Sequence, residues 1–166
     1  IFWFAAAGRP EDVAAARKLI DDGAAVVDDP NHPTKNTPLM VAALKGKVDF
    51  VRAMLELGAD INARNERGLT PLMAAVDGGK AAVVRLFLQE AVPPADVHAR
   101  DNKQQTALHH AATKKDGSIA ELLLRAGADP DAEDERGRTA WAIAAKRRSK
   151  RFEAVREALR PSEEEL

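Results

Sequence analysis

Apolar residues in this chain come in short helical bursts, each closed by a polar turn. Val13, Ala16, Leu19 and Ile20 share one helical face, as do Val83, Val84, Phe87 and Leu88 and, near the end, Phe152, Val155, Ala158 and Leu159. Leu72 to Ala75 opens another apolar helix, and Trp141, Ile143 and Ala144 form a further one. The pattern predicts helix pairs near 38–45 and 48–57 and near 71–77 and 81–90. Before them, one helix closes at Gly8, and a second starts at Pro10-Glu11-Asp12, with proline early and acids in the first turn, and ends at Gly23. Alternatively, Phe2, Trp3 and Phe4 cover an open end of the fold.

The turns repeat as regularly as the helices. In Asn65-Glu66-Arg67-Gly68-Leu69-Thr70-Pro71-Leu72-Met73-Ala74-Ala75, Gly68 admits a positive φ, Thr70 is a good N-cap and Pro71 suits the first helical position. The same launch recurs at Thr37-Pro38-Leu39-Met40, Thr106-Ala107-Leu108-His109 and Thr139-Ala140-Trp141-Ala142. The four threonines stand 33, 36 and 33 residues apart, a period that implies stacked repeats.

These motifs resemble the ankyrin-repeat family, whose pattern is a turn with Asp and Gly, Thr-Pro-Leu-His, a short helix, a Gly, a longer helix and Gly-Ala-Asp. Asp134-Glu135-Arg136-Gly137-Arg138-Thr139 matches the turn. Met54 to Ala63 and Leu122 to Asp129 match the end of the second helix. The resemblance covers nearly the whole chain and implies an all-α solenoid of helix-turn-helix units joined by projecting β-turns. One domain is expected over 1–160, with units near 1–29, 34–64, 65–100, 101–133 and 134–160, the last a cap, followed by an acidic tail at 161–166.

Departures from the period mark irregular places. The connection 24–36 is two residues longer than its counterpart and is expected to form an irregular finger. After the helix near 81–90, Ala91-Val92-Pro93-Pro94-Ala95-Asp96 replaces Gly-Ala-Asp, which accounts for the 36-residue spacing, and its prolines stop the helix. Gln104 stands where Gly68 and Gly137 stand, so a non-glycine is expected at positive φ.

Net charge is −1, which implies neither a nucleic acid nor an anionic membrane as partner. Cysteine is absent, which excludes disulfides and thiolate metal sites and fits a cytoplasmic location as well as a bacterial envelope. No apolar run reaches the roughly 20 residues of a membrane-spanning helix. Ile1-Phe2-Trp3-Phe4 has no basic n-region, and with no initial Met the chain reads as a fragment or processed form.

Catalytic or metal chemistry has little to stand on. His109 and His110 are adjacent, so on a helix they point about 100° apart and do not chelate together. His109 occupies the family's Thr-Pro-Leu-His position, where the resemblance implies a bond back to Thr106. Met40, Met73 and Ala142 lack that histidine. Asp77-Gly78-Gly79-Lys80 lacks the strand and leading glycine of a phosphate loop and sits at an interhelical turn. Asp21-Asp22, Asp28-Asp29 and Asp134-Glu135 read as solvated charges rather than paired catalytic acids. No cofactor and no enzyme activity are expected.

What remains is surface. In an ankyrin stack the turn tips and first helices line a concave face, and the family register places there Lys45; Arg64, Glu66, Arg67, Leu69 and Asp77; Arg100, Asn102, Lys103, Gln105, Thr113 and Lys114; and Glu133, Glu135, Arg136, Arg138, Lys146 and Arg147. Ten of these are basic and four acidic, which leaves 15 basic and 22 acidic residues elsewhere, of totals 25 and 26. This segregation points to a partner protein or peptide with an acidic segment, bound by a scaffold, adaptor or inhibitor. The alternative is a regulatory or targeting module of a larger enzyme, channel or effector. Nucleic acid suits the basic face but would lack aromatics for base stacking. Glu11, Asp12 and Glu153 lie off the face.

Overall fold

The structure, a computed structural model, describes residues 2–7, 9–23, 27–28, 35–146 and 153–160. Among these every regular element is helical. The helices are α1 (Phe2–Ala7), α2 (Pro10–Asp21), α3 (Pro38–Lys45), α4 (Val48–Glu56), α5 (Pro71–Asp77), α6 (Ala81–Arg85), α7 (Ala107–Ala111), α8 (Ser118–Arg125), α9 (Ala140–Ala145) and α10 (Glu153–Ala158). A π-helical turn, Leu86–Glu90, continues α6. The chain forms two compact units, Ile1–Ala95 and Asp96–Leu166. The division falls in the irregular 91–96 segment.

In the first unit α3 packs between α1 and α5, and α4 between α2 and α6, so first helices form one layer and second helices another. Leu39, Phe50, Met54, Leu72, Met73, Val76, Val83 and Phe87 fill the space between the layers, and Ala42, Ala43 and Ala75 let neighbouring helices approach closely. In the second unit α7 packs on α8 and α9, and α10 on α8 and α9. Leu108, Ile119, Leu123 and Val155 are its buried centre.

Three of the first helices start as the sequence predicts. Thr37, Thr70 and Thr139 are extended N-cap residues whose side chains accept the N–H of Met40, Met73 and Ala142 at 3.3, 3.3 and 3.2 Å. Pro38 and Pro71 follow at the first helical position, where no N–H is needed. At the 77–80 turn, Gly78 brings the chain against α3. A Cβ there would lie 2.1 Å from the Leu44 carbonyl oxygen, so this glycine serves packing.

Several local expectations change. The helix predicted over 81–90 is α-helical only to Arg85. Beyond it the Ala91 N–H donates to the Leu86 oxygen at 2.9 Å, five residues back, and the Ala95 N–H to the Phe87 oxygen at 2.9 Å. The wider turn absorbs part of the insertion. It also rotates the side chains, so Leu86 is buried with Phe87 and Leu88 is half-exposed, the reverse of the periodic expectation. Leu19 and Ile20 are likewise only half-buried, while Asp12 and Ala16 are buried in α2. Phe2 and Phe4 belong to a true helix, packed on α2 and α3. Most of the expected finger at 24–36, residues 147–152 with Arg147 and Phe152 among them, and the tail 161–166 lie outside the described residues.

Candidate partner-binding surface

One polar residue organises each turn tip. Asn65, Asp101 and Asp134 occupy the same register, five residues before the capping threonine. The Oδ1 of Asn65 accepts the N–H groups of Arg67 and Leu69, each at 2.9 Å. Asp101 Oδ1 accepts those of Lys103 and Gln105 at 2.8 and 2.9 Å, and Asp134 Oδ1 those of Arg136 and Arg138 at 2.9 and 3.0 Å. Asp101 and Asp134 are therefore buried, 3% and 6% exposed, and the expectation of solvated loop charges fails for Asp134. The backbone closes around these oxygens with Gly68 at φ 73°, Gly137 at φ 64° and, as predicted, the non-glycine Gln104 at φ 58°.

This geometry sorts the predicted site residues by register. Two positions after the organising residue stand Arg67, Lys103 and Arg136, all exposed. Four positions after it stand Leu69, Gln105 and Arg138, and these turn inward. Leu69 is 7% exposed and does not project from the face. The Gln105 side-chain amide donates to Asp134 Oδ2 at 3.4 Å. Arg138 gives Nε and Nη2 to the same oxygen at 3.0 and 2.6 Å, so its charge is spent inside the fold. Arg100 is also drawn in, donating from Nη1 to the backbone oxygens of Gln104 and Glu133 at 3.2 and 2.7 Å. The polar groups of Arg100, Gln105 and Arg138 are thus engaged within their own unit, and Leu69 lies low beside the turn rather than standing out from it.

The other predicted residues are more open. Lys45, Arg64, Glu66, Asn102, Glu133, Glu135 and Lys146 are exposed, and Asp77, Thr113 and Lys114 are half-buried. Thr113 is no bare surface residue: its hydroxyl donates to the His110 oxygen at 2.8 Å. Arg147 lies outside the described residues. The side chains of Lys45, Arg67, Lys103 and Lys146 make no hydrogen bond or ion pair among the described residues, whereas Arg136 lies 3.9 Å from Glu135. On the second helices Arg17 pairs with Glu56 at 2.8 Å, Arg52 with Glu90, and Arg125 with Glu121 at 3.9 Å.

Neighbouring turns are tied together within each unit. The Asn65 side-chain amide donates to Asn36 Oδ1 at 2.7 Å, and the Glu135 N–H donates to the Lys103 oxygen at 3.0 Å. His109 makes the bond to Thr106 that its position implied. Its Nδ1 accepts the Thr106 N–H at 3.1 Å and lies 2.9 Å from the Thr106 hydroxyl. That acceptor role places the ring proton on Nε2, which donates to the Arg138 oxygen at 2.9 Å. Burial lowers the His109 pKa, against the opposing pull of the Arg138 carbonyl, so the ring is neutral and structural. His110 Nε2 faces the buried Asp101 Oδ2 at 3.3 Å. Burial alone would raise the Asp134 pKa, but Arg138 and two backbone N–H groups hold it well below the usual carboxylate range.

Asp12, placed off the face by the sequence, is 2% exposed rather than a surface charge. It accepts the Arg9 N–H at 2.8 Å and both Nε and Nη2 of Arg9, at 3.0 and 3.1 Å, in a bidentate pair at the start of α2. Asp28 also departs from the solvated expectation: its Oδ2 accepts the Asp60 N–H at 2.9 Å and burial raises its pKa.

Two of the grooves in the first unit bear on this surface. One, of about 250 Å³, lies between α3, α5 and the 65–69 turn, with Leu44, Leu69, Ala74, Arg67 and Asp77 in its walls. The other, of about 280 Å³, lies along the second helices beside Leu55, Leu86 and the 97%-exposed Val92. Sequence reasoning passed over both. Among the described residues no group of three or more His, Asp or Glu is placed to hold a metal ion, and no helix is long and apolar enough to cross a membrane.

Paired helices launched by Thr caps, with hydrogen-bonded turn tips, define a stacked-repeat interaction module. The family model for ankyrin repeats in three copies matches residues 2–101, 58–134 and 89–163, and the chain belongs to the ankyrin-repeat family. It is 37% identical over 107 residues to the human ankyrin repeat and KH domain-containing protein 1, covering 63% of this chain and 4% of that protein. It is 35% identical over 138 residues to the human ankyrin repeat and SOCS box protein 16, covering 78% of this chain and 30% of the relative. It is 38% identical over 87 residues to the serine/threonine-protein kinase VIK of Arabidopsis thaliana, covering 52% of this chain and 19% of the kinase. The chain thus spans less than a third of each of these relatives. Ankyrin repeats are a protein–protein interaction module, and the family is generally non-catalytic.

Proposed function

We propose that this chain binds an acidic segment of a partner protein through its turn tips and first helices, the concave face of the family register. The observation that carries this reading is the set Lys45, Arg67, Lys103 and Lys146, exposed cations whose side chains make no hydrogen bond or ion pair among the described residues, whereas Arg17, Arg52 and Arg125 on the second helices face glutamates. An unpaired exposed cation keeps its field for a partner and loses little prior bonding when the partner arrives. Arg67 adds a planar fork suited to a carboxylate.

The triple change Arg67→Glu, Lys103→Glu and Arg136→Glu tests the reading. All three side chains are exposed and outside the packed core, so the variant keeps its fold. A glutamate- and aspartate-rich peptide should bind the natural chain, bind less as salt rises, and fail to bind the variant. Reversal at Glu11 and Glu153 is the control, since Asp12 holds a helix end together. Equal binding by the triple variant, with loss on changing the Val92 groove, would transfer the function to the second-helix side.

A second reading, a repeat module that recruits or regulates a catalytic region of a longer protein, is favoured by the match to the kinase VIK. The same surface would then serve a segment in the same chain. Binding of that segment when supplied as a separate protein, and its loss in the triple variant, would test it.

A further inference from the structure

The first helices α3, α7 and α9 share one register from their capping threonines, and α9 alone leaves it open. Two, three and six residues after the threonine, α3 carries Leu39, Met40 and Ala43, all buried. In α7 the same places hold Leu108, His109 and Ala112, also buried. A following first helix packs on each, α5 on α3 and α9 on α7. In α9 these places hold Trp141, 39% exposed, and Ala142 and Ala145, both half-buried. Among the described residues no first helix follows α9.

These three residues and Lys146, the C-cap of α9, line a hollow of about 500 Å³. A unit that closes a repeat stack presents a polar outer face, which Trp141, Ala142 and Ala145 do not. Lys146 is exposed, and its side chain makes no hydrogen bond or ion pair among the described residues. The hollow takes its wall from one helix only, so an occupant has to bring the facing wall, as α5 does for α3. A further repeat of the same kind would meet a changed surface. Trp141 replaces the leucine of the other repeats, and Ala142 has no counterpart to His109 Nε2, which donates to the Arg138 oxygen of the next turn at 2.9 Å. Four residues are also far fewer than the roughly 20–30 per side of a stable interface, so this face adds to a wider contact rather than holding a second copy by itself.

We infer that the open face of α9 receives a helix of the partner protein. That helix sets a small residue, Gly, Ala or Ser, against the Trp141 ring and an Asp or Glu against Lys146. Trp141 and Lys146 stand about 7.5 Å apart along the helix axis, so the two partner residues lie about one to two turns apart. Large-on-small packing lets two helices approach closely, and the ion pair at one end fixes the direction of the second. The inference rests on the proposed binding face, to which Lys146 belongs, and adds the form in which the partner reaches it.

A displayed library of alanine-based helical peptides without tryptophan, randomised along one face, is panned on the chain. Enriched peptides are synthesised and their Kd measured by calorimetry. Tryptophan emission is read in a Trp3→Phe background, where Trp141 is the one indole left. The expected peptides combine a small residue with an acid, shift the Trp141 emission to shorter wavelength and shield it from acrylamide. Trp141→Gln and Lys146→Glu should each weaken them about tenfold or more, with the helical circular-dichroism signal and Tm retained. Lys146→Glu, on an exposed position, keeps the test valid should Trp141→Gln disturb folding. Enriched peptides that lose binding to the Arg67, Lys103 and Arg136 triple variant, yet leave Trp141 emission unchanged and bind both α9 variants at natural strength, would overturn the helix site and leave the acidic-segment reading standing. Self-association of the chain that rises with concentration and is abolished by Trp141→Gln would overturn it too, and would give the face to a second copy. No enrichment, or equal binding by the natural chain, both α9 variants and the triple variant, would overturn both readings.

Discussion

Both Nε and Nη2 of Arg138 reach a single oxygen of Asp134, at 3.0 and 2.6 Å, while the other oxygen of that carboxylate takes the N–H groups of Arg136 and Arg138. Asp134 is thus both the hinge on which its turn closes and the sink for an arginine that would otherwise extend the basic face. Asp134→Ala removes both roles and should cost roughly 2–3 kcal/mol in urea unfolding. Arg138→Gln should destabilise the second unit less, because the backbone bonds to Asp134 remain, and should leave binding of an acidic peptide close to natural. A large binding loss in Arg138→Gln with unchanged stability would return this residue to the contact set.

Acid should weaken the fold in two stages with the same sign. The pKa of His109 in the folded chain lies below its ordinary 6.5, so the unfolded chain binds the extra proton first. Its contribution is complete above that value and is lost as pH falls below it toward the folded pKa. Asp134 is likewise depressed from 3.8, so its contribution is complete above that value and is lost on further acidification. Tm measured from pH 8 downward should fall first below about 6.5 and again below about 3.8. His109→Gln should start from a lower Tm at neutral pH and lack the first stage. A flat Tm from pH 7 to 5 in the natural chain would contradict the neutral, bonded assignment of His109.

Leu123 is completely buried in the second unit. Leu123→Ala should cost roughly 2–5 kcal/mol through lost burial and the cavity left behind. Lys103→Ala, on an exposed tip, should stay within roughly 0.5 kcal/mol. Thr113, whose hydroxyl caps the His110 carbonyl, is a poorer control than its position on the first-helix side suggested. Equal losses at Leu123 and Lys103, followed by chemical denaturation, would invalidate the packing of α8.

Gln104 holds φ 58° at the position where the neighbouring turns use Gly68 and Gly137. A left-handed residue with a Cβ costs roughly 1–2 kcal/mol, and glycine gives back about 0.4–1 of that through the unfolded chain. Gln104→Gly should therefore raise stability by up to about 1 kcal/mol, and Gly137→Gln should lower it. Destabilisation by Gln104→Gly in thermal unfolding would show that the side chain serves a purpose beyond the turn.

The repeat was legible because its signals are local. A threonine, a proline or alanine, and an apolar helix recur at nearly constant spacing, and backbone capping needs nothing more distant. The roles of Asn65, Asp101 and Asp134 were not read, and Asp134 was expected to be solvated: each stands five residues before its threonine, but its burial follows from the N–H groups two and four residues onward that close on its oxygen. Arg67 and Arg138 illustrate what sequence leaves open. Both flank the turn glycine, and only the register relative to Asn65 or Asp134 decides that one faces out and the other in. The π-helical turn was hidden for a different reason. Prolines and a longer spacing announced an insertion after α6, but the choice of Leu86 over Leu88 for burial depends on how packing absorbs the extra residues. Asp12 read only as a first-turn acid off the binding face, because its burial depends on Arg9 folding back over the helix end.

Cross-linking from defined positions tests most directly whether the turn tips are the partner-facing surface. A photoreactive residue is placed at Glu66 or Asn102, both exposed on turns, or at Gln89, exposed on the second-helix side, and irradiated with an acidic peptide enriched on the natural chain. The account predicts adducts from 66 and 102 that vanish when the peptide carboxylates are replaced by amides, and none from 89. Adducts from 89 alone, unchanged by amidation, would contradict it.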